Sequence, residues 1–164
     1  MTQYVGIQNS PLGEILVMDN GEEILEVRFR QNISQLYLQS HKQSPLTLAT
    51  FSQLKEYLTQ KRQVFTLPLN PKGTAFQKSV WKILCTIPYG ETLSYGKIAD
   101  IIGNPKSARA IGSANHHNPI AILIPCHRVI SANGAINGYA SGIQKKIELL
   151  KLEGYKPKKG LWKL

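Results

Sequence analysis

Apolar residues in the first part of the chain come in short bursts separated by turn-forming residues. The bursts are Tyr4–Ile7, Gly13–Met18 and Ile24–Phe29, with Asn9-Ser10-Pro11 and Asp19-Asn20-Gly21 between them. Bursts of that length, bounded by residues that bend the backbone readily, predict three strands with Asp19-Asn20-Gly21 as a hairpin connection. After Leu46 the period changes. Leu48, Phe51, Leu54, Tyr57 and Leu58 recur at intervals of three and four, which places them on one face of a helix over 46–60. Val64–Leu69 returns to a strand-like pattern, interrupted by Pro68 and closed by Asn70-Pro71-Lys72-Gly73. That Pro/Gly cluster predicts a domain boundary, with one domain over 1–72 and a second over 73–164.

The second part reads as helical. Thr74 with Gln77 carries a capping-box signature, and Phe76, Val80, Trp81 and Leu84 give a helix over 75–87 an apolar face. Cys85 lies one turn after Trp81 and reads as core filler. Beyond the Pro88-Tyr89-Gly90 break, a short helix is predicted over 95–102, capped by Ser94 and stopped by Gly103. Asn104-Pro105 restarts a helix that runs to Asn115 and stops before Asn118-Pro119. Two short helices joined by Gly-Asn-Pro predict a helix-turn-helix. The second helix is lined with small residues (Ala108, Ala110, Gly112, Ser113, Ala114), with Arg109 its one prominent side chain. Such a surface suits close approach to a narrow groove of DNA, and tight packing against the first helix accounts for the small residues equally well.

Composition narrows the classes. A chain of 164 residues with 42% apolar content can build a real core. No run approaches the ~18 uncharged apolar residues of a membrane span, so no membrane association is expected. The stretch MTQYVGIQNSPLGE lacks a basic segment followed by an apolar one, and no export signal is expected. Cys85 and Cys126 make no disulfide framework and point to a reducing, cytoplasmic setting. The absence of C-x-x-C and H-x-x-x-H spacings argues against structural zinc. The net charge of +10 is one-sided: residues 1–71 balance six bases with six acids, and the whole excess falls in 72–164. A one-sided basic field points to a polyanion, nucleic acid first. A solvated basic surface with a tail of Lys156, Lys158, Lys159 and Lys163 is the plainer account.

Candidate chemistry is concentrated in Leu-Ile-Pro-Cys-His-Arg-Val-Ile, residues 123–130. Three polar groups inside an apolar run lose about 1–3 kcal/mol each when buried without partners. The run after Pro119 predicts a buried strand with Cys126 at or just past its end, so Cys126 and His127 would point to opposite faces. Proton transfer between them then needs a bridging water or a bend at Pro125. Positive neighbours favour the thiolate, the reactive form of cysteine, although a buried inert thiol fits the same residues. In the last helix, over 143–153, Lys146 and Glu153 stand two turns apart on one face, and Gly154 closes it. Glu153 either orients His127, as carboxylates do in nucleophilic triads, or is a solvated helix end.

Ile-Pro-Cys-His-Arg-Val resembles the active-site motif of the O6-alkylguanine-DNA alkyltransferases, also called methylated-DNA–protein-cysteine methyltransferases. Further segments match in order: IPYGETLSYGKIA, GNPKSARAIGSA, NPI, GAINGYASG and KIELLKLEG. The resemblance implies an α+β protein, with a small N-terminal ribonuclease-H-like α/β domain and a C-terminal winged-helix-like (helix-turn-helix) alkyltransferase domain. It implies single-turnover transfer of an alkyl group from guanine O6, and from thymine O4 as a further substrate, to Cys126. In that scheme His127 is a water-linked base oriented by Glu153, and Asn118 braces the turn before the active-site strand. Tyr95 presses on a phosphate to rotate the nucleotide out and then bonds the guanine, while Arg109 fills the vacated stack. Lys146 offsets charge as guanine leaves. Gly96, Asn104, Ser113 and Arg128 join Tyr95 and Arg109 in holding DNA, and Val129, Tyr139, Ala140 and Ser141 line the base pocket. No cofactor or metal is implied. The implied partner is duplex DNA containing O6-alkylguanine, bound by a monomer in the cytoplasm, on the nucleoid, or in the nucleus of a eukaryote.

Departures from the family pattern are His116-His117, where relatives often have glycine, and Ser141, where they often have glycine. The histidines contact DNA or only end the helix; Ser141 narrows the pocket against bulky alkyl groups. Rival classes are a non-catalytic damage-binding relative, against which Cys126 argues, a papain-type cysteine hydrolase, and a sequence-specific helix-turn-helix regulator with an inert cysteine.

Overall fold

Residues 2–30 and 34–157 are described by the computed structural model. They divide into two compact units, one of residues 1–72 with Pro119–Leu123, the other of residues 73–118 with Ile124 onward. Lys158, Lys159 and Lys163 of the basic tail lie outside the described residues. Among the described residues no helix is long and apolar enough to cross a membrane.

The first unit is built on an antiparallel meander of β1 (Tyr4–Ser10), β2 (Gly13–Asp19) and β3 (Ile24–Arg30), in that order. The register sets Val5 opposite Met18 and Val17 opposite Val27. A one-turn helix α1 (Gln35–Gln39), which carries no buried residue and so no periodic signal, precedes α2 (Pro45–Leu58). Phe51, Leu54 and Tyr57 of α2 are buried. The helix crosses β1 so closely that a Cβ on Gly6 would lie 2.7 Å from the Phe51 and Thr47 side chains. Ser44 caps α2 with a reciprocal Ser44–Thr47 capping box, and both hydroxyls donate to the buried carboxylate of Asp19. The end of β2 is thereby tied to the start of α2.

Two expected strands are absent. Residues 64–69 run as irregular chain with a single bridge, Leu69 beside Ile24, because Pro68 can accept from Ile24 N–H but has no N–H to donate. The apolar run after Asn118 likewise gives only a bridge, Ile120 beside Val27, after which the chain turns through Ile122 in the left-handed region at φ 70°. Pro119 to Ala121 therefore lie along the outer edge of β3, Val27 N–H donating to the Pro119 carbonyl and Ala121 N–H to the Val27 carbonyl.

The second unit begins with α3 (Ala75–Leu84), capped by the Thr74–Gln77 box, with Val80, Trp81 and Leu84 buried. Helix α3 stops one turn short of Ile87, and Cys85 at its end is exposed, which corrects its reading as core filler. After β4 (Leu93–Ser94), Ser94 caps α4 (Tyr95–Ile102), and Gly103 ends it at φ 81°. Asn104-Pro105 opens a 3-10 turn rather than an α-helix, and α5 (Ala108–His116) follows. Buried Ile111 and Ala114 seat α5, and the Trp81 indole N–H donates to the Ala114 carbonyl at 2.8 Å. Arg109, Ser113 and His116, spaced by four and three, stay exposed along the opposite face. Strand β5 (Val129–Ile130) pairs in parallel with β4, Leu93 against Val129, and α6 (Ile143–Leu152) completes the unit with Ile147, Leu149 and Leu150 buried.

Candidate active site

The Cys-His-Arg sequence forms a 3-10 turn, Cys126–Arg128, and not the end of a strand. Pro125 enters it at φ −81° and ψ 64°, where the Cys126 N–H folds back onto the Ile124 carbonyl at 2.8 Å. This is an inverse γ-turn, which the fixed proline φ favours. The turn removes the alternation that would have sent Cys126 and His127 to opposite faces. The carboxamide of Asn118 donates to the Ile124 carbonyl at 2.8 Å, just ahead of the turn. That of Asn115 donates to the carbonyl of Cys126 itself at 3.2 Å. The last turn of α5 and the residues just after it thus hold the Ile124–Cys126 backbone at two points. Asn115 escaped the sequence reading because an asparagine in the last turn of a helix reads as a terminator; its burial is the distinguishing sign.

Cys126 is buried, and burial pushes its thiol above the ordinary value. Opposing that are a hydrogen bond from Asn118, the positive charge of Lys146 and the nearby Tyr139 hydroxyl. Lys146, whose Nζ donates to the Asn137 and Gly138 carbonyls at 3.2 and 3.3 Å, is lowered by burial to about 8. It is still mostly protonated at neutral pH. Tyr139 and Tyr95 are both pushed up, by burial first and by the neighbouring thiol second, so both keep their protons. A protonated phenol can donate a hydrogen bond, and a thiol among donors and an ammonium can ionise when a base takes its proton.

An imidazole stands next in the chain. His127 is wholly buried, and its Nε2 lies 2.8 Å from Glu153 Oε1. Burial lowers its proton affinity more than Glu153 raises it. Glu153 caps the end of α6, where Gly154 follows at φ 76°, and its carboxylate faces inward rather than into solvent. Arg128 is the clearest departure from expectation. Its side chain is buried and bonds Glu153 through Nε and Nη2 at 2.9 and 2.8 Å, so it presents no cation to a DNA surface.

A cavity of about 390 Å³ opens beside Tyr95, between Ala108, Gly112, Asn115 and His116 of α5 and the 131–138 loop. Tyr95 donates to the Asn137 carbonyl at 3.3 Å across its rim. The short β4–β5 ladder explains the placement: it sets Ser94, and hence Tyr95, alongside the strand that leaves the Cys-His-Arg turn. The expected pocket residues Val129, Tyr139, Ala140 and Ser141 do not line this cavity. Val129 is fully buried, Tyr139 lies by the thiol, Ser141 is half-buried, and Ala140 is exposed. Gly96, Asn104, Arg109 and Ser113 are exposed, as DNA contacts would need to be. Asn104 also caps its own turn by accepting from Lys106 N–H at 3.3 Å. His117 accounts for its position locally, its Nδ1 lying 2.7 Å from the Ser113 carbonyl at the helix end.

Comparison with known proteins finds matches over nearly the whole chain. Residues 3–71 match the 6-O-methylguanine DNA methyltransferase ribonuclease-like domain, and residues 75–155 match the DNA binding domain of the same family. A methylated-DNA–protein-cysteine methyltransferase of Methanosarcina acetivorans is 46% identical over 92% of this chain and 98% of its own. The enzyme of that name from Mycobacterium tuberculosis is also 46% identical, over 88% of each chain. The crystal structure of the Mycobacterium tuberculosis O6-methylguanine methyltransferase superposes with a TM-score of 0.82 at 42% identity, covering 93% of both chains. A structure of the Mycobacterium tuberculosis OGT in complex with DNA superposes at 0.81 over 93% of this chain and 92% of that one, again at 42% identity. With Cys126 buried next in the chain to a His127–Glu153 pair, and with matches to both family domains, the chain belongs to the methylated-DNA–protein-cysteine methyltransferase family.

Proposed function

We infer that this protein repairs DNA by moving an alkyl group from guanine O6 in a duplex onto its own Cys126, once per molecule. The observation that carries the reading is the buried His127–Glu153 bond next in the chain to Cys126, whose carbonyl Asn115 of α5 holds, with a cavity beside Tyr95. His127 uses Nε2 to meet Glu153, so proton traffic with the thiol runs through Nδ1 and a water. The thiolate attacks the alkyl carbon, the S–C bond forms and the C–O6 bond breaks. The electron pair of that bond goes to guanine, and the thiol proton ends on the leaving base, which departs with a carbonyl at O6. Lys146 and the phenol of Tyr95 stabilise the charge that develops as the base leaves. The product is a thioether, a poor leaving group, so the protein does not turn over.

Guanine O6 is out of reach inside a stacked duplex, so the base must be extruded, at a cost of a few kcal/mol of stacking. In this reading Arg109 fills the gap, and its exposure on α5 supports that role. The half-buried ring of Tyr95 meets the base in the cavity. Thymine O4, presenting the same alkoxy carbon on a smaller ring, is proposed as a further substrate of the same site.

The test is direct. Protein is mixed with a duplex carrying O6-methylguanine, and the peptide containing residue 126 is weighed. One added methyl per molecule, restored guanine and no further turnover are expected; Cys126→Ser binds the same duplex and gains nothing. An unmodified wild-type peptide in a tight complex would sink the transfer and leave a damage-binding protein.

A further inference from the structure

Arg128 has no part in the reaction as derived, yet it is tied down on every side. Nε reaches Glu153 Oε2 at 2.9 Å, Nη2 reaches Oε1 at 2.8 Å, and Nη1 donates to the Ile87 carbonyl at 2.6 Å. The guanidinium also lies 5.9 Å from the centre of the Tyr89 ring. Glu153 consequently accepts on both oxygens: Oε1 from His127 and Arg128, Oε2 from Arg128 and the Gly90 N–H at 3.1 Å.

The charge count then decides the state of the histidine. Glu153 and Arg128 form a neutral buried pair, so a proton on His127 would add an unbalanced positive charge. Lys146 of α6, which also acts on His127, makes that proton less welcome still. With Arg128 removed, the buried carboxylate would have His127 as its nearest cation, and a charge left alone inside a protein takes up a proton or a partner. We propose that Arg128 is a positioning residue that fixes the Glu153 carboxylate and balances its charge, so that His127 stays neutral and free to take the Cys126 proton. This deepens the reading of His127 as the base and rests on it. The direction of the His127 shift agrees: burial lowers it most, Glu153 works against burial, and Arg128 and Lys146 add to the lowering.

The test measures single-turnover transfer from an O6-methylguanine duplex across pH, together with the His127 imidazole titration by NMR. Wild type, Arg128→Met, Arg128→Lys and the double variant Arg128→Met/Glu153→Gln are compared. In Arg128→Met the acid limb of the rate and the His127 titration should both move up by about 1–3 pH units, the shift an unshared neighbouring carboxylate produces. Arg128→Lys, which keeps the charge without the fork, should hold the limb near wild type. The double variant removes the unbalanced carboxylate, so it is the more robust folding partner and should bring the titration back down. An Arg128→Met protein that is slower by one factor at every pH, with His127 titrating as in wild type, would overturn the proposal. A His127 titration that moves while the wild-type rate shows no matching limb would instead overturn only the role of His127 as base.

Discussion

His127 makes the native state sensitive to acid in a way that can be worked out residue by residue. Burial lowers its proton affinity below the ordinary imidazole value of 6.5, which the unfolded chain retains. Between the lowered native value and 6.5 the unfolded chain therefore holds more protons than the folded one. Stability rises with pH wherever that is so, and falls as pH drops through the same window. Urea unfolding should give a lower midpoint at about pH 5.5 than at about pH 7.5, in a range above the ordinary titration of carboxylates. His127→Gln can still bond Glu153 but cannot titrate, so the difference between its two midpoints should be smaller. An equal difference in both proteins would mean that His127 is not the group responsible.

At the scale of elements, the site depends on how three chain breaks are shaped. Gly90 (φ 80°) and Gly103 (φ 81°) both occupy the left-handed region, but their surroundings differ. A Cβ on Gly90 would stand 2.9 Å from the Glu153 backbone oxygen, whereas one on Gly103 would meet nothing within 4 Å. Gly103→Ala should therefore show the conformational penalty alone, about 1–2 kcal/mol. Gly90→Ala should lose more stability than that and slow transfer as well, because Gly90 N–H holds Glu153 Oε2. Equal losses would mean that the Pro88–Gly90 turn does not position the carboxylate. The third break, at Pro125, shows why the sequence could be read only in part. Period and capping chemistry made β1 to β3, α2, α4 and the start of α3 legible, since each is decided by its own residues. Ser44–Thr47 and Thr74–Gln77 are local signals. The segments 64–69 and 119–123 read as strands because they are apolar, but each meets β3 only through a bridge, at Leu69 and at Ile120, which no local pattern encodes. Cys126, His127 and Glu153 could be named from the family motif. The bond from Asn115 to the Cys126 carbonyl could not, since it joins α5 to a turn whose path only the fold supplies. The burial of Arg128 is not legible for a related reason: a basic residue reads as surface until the fold sets its carboxylate beside it.

For the whole molecule, the same correction changes what the charge is for. The excess of +10 resides in the second half of the sequence, but not all of it faces outward. Arg128 is neutralised by Glu153, and Lys146 is buried and donates to two carbonyls. In the second unit the exposed cations among the described residues are Lys78, Lys82, Lys97, Lys106, Arg109, Lys151 and Lys156. Phosphate contacts release counterions, so affinity for duplex falls with salt at a logarithmic slope of about −0.9 per phosphate neutralised. The slope therefore counts surface cations that reach the backbone, and the two buried ones should be silent in it. Binding of undamaged duplex should weaken steeply as salt rises, and Arg109→Ala should flatten the slope by about 1 if its guanidinium also meets phosphate. Arg128→Met, assayed on folded protein, should leave the slope unchanged although it removes the same formal charge. A flattened slope in Arg128→Met, or a wild-type affinity indifferent to salt, would show that the basic half meets DNA in some other way than through its exposed side chains.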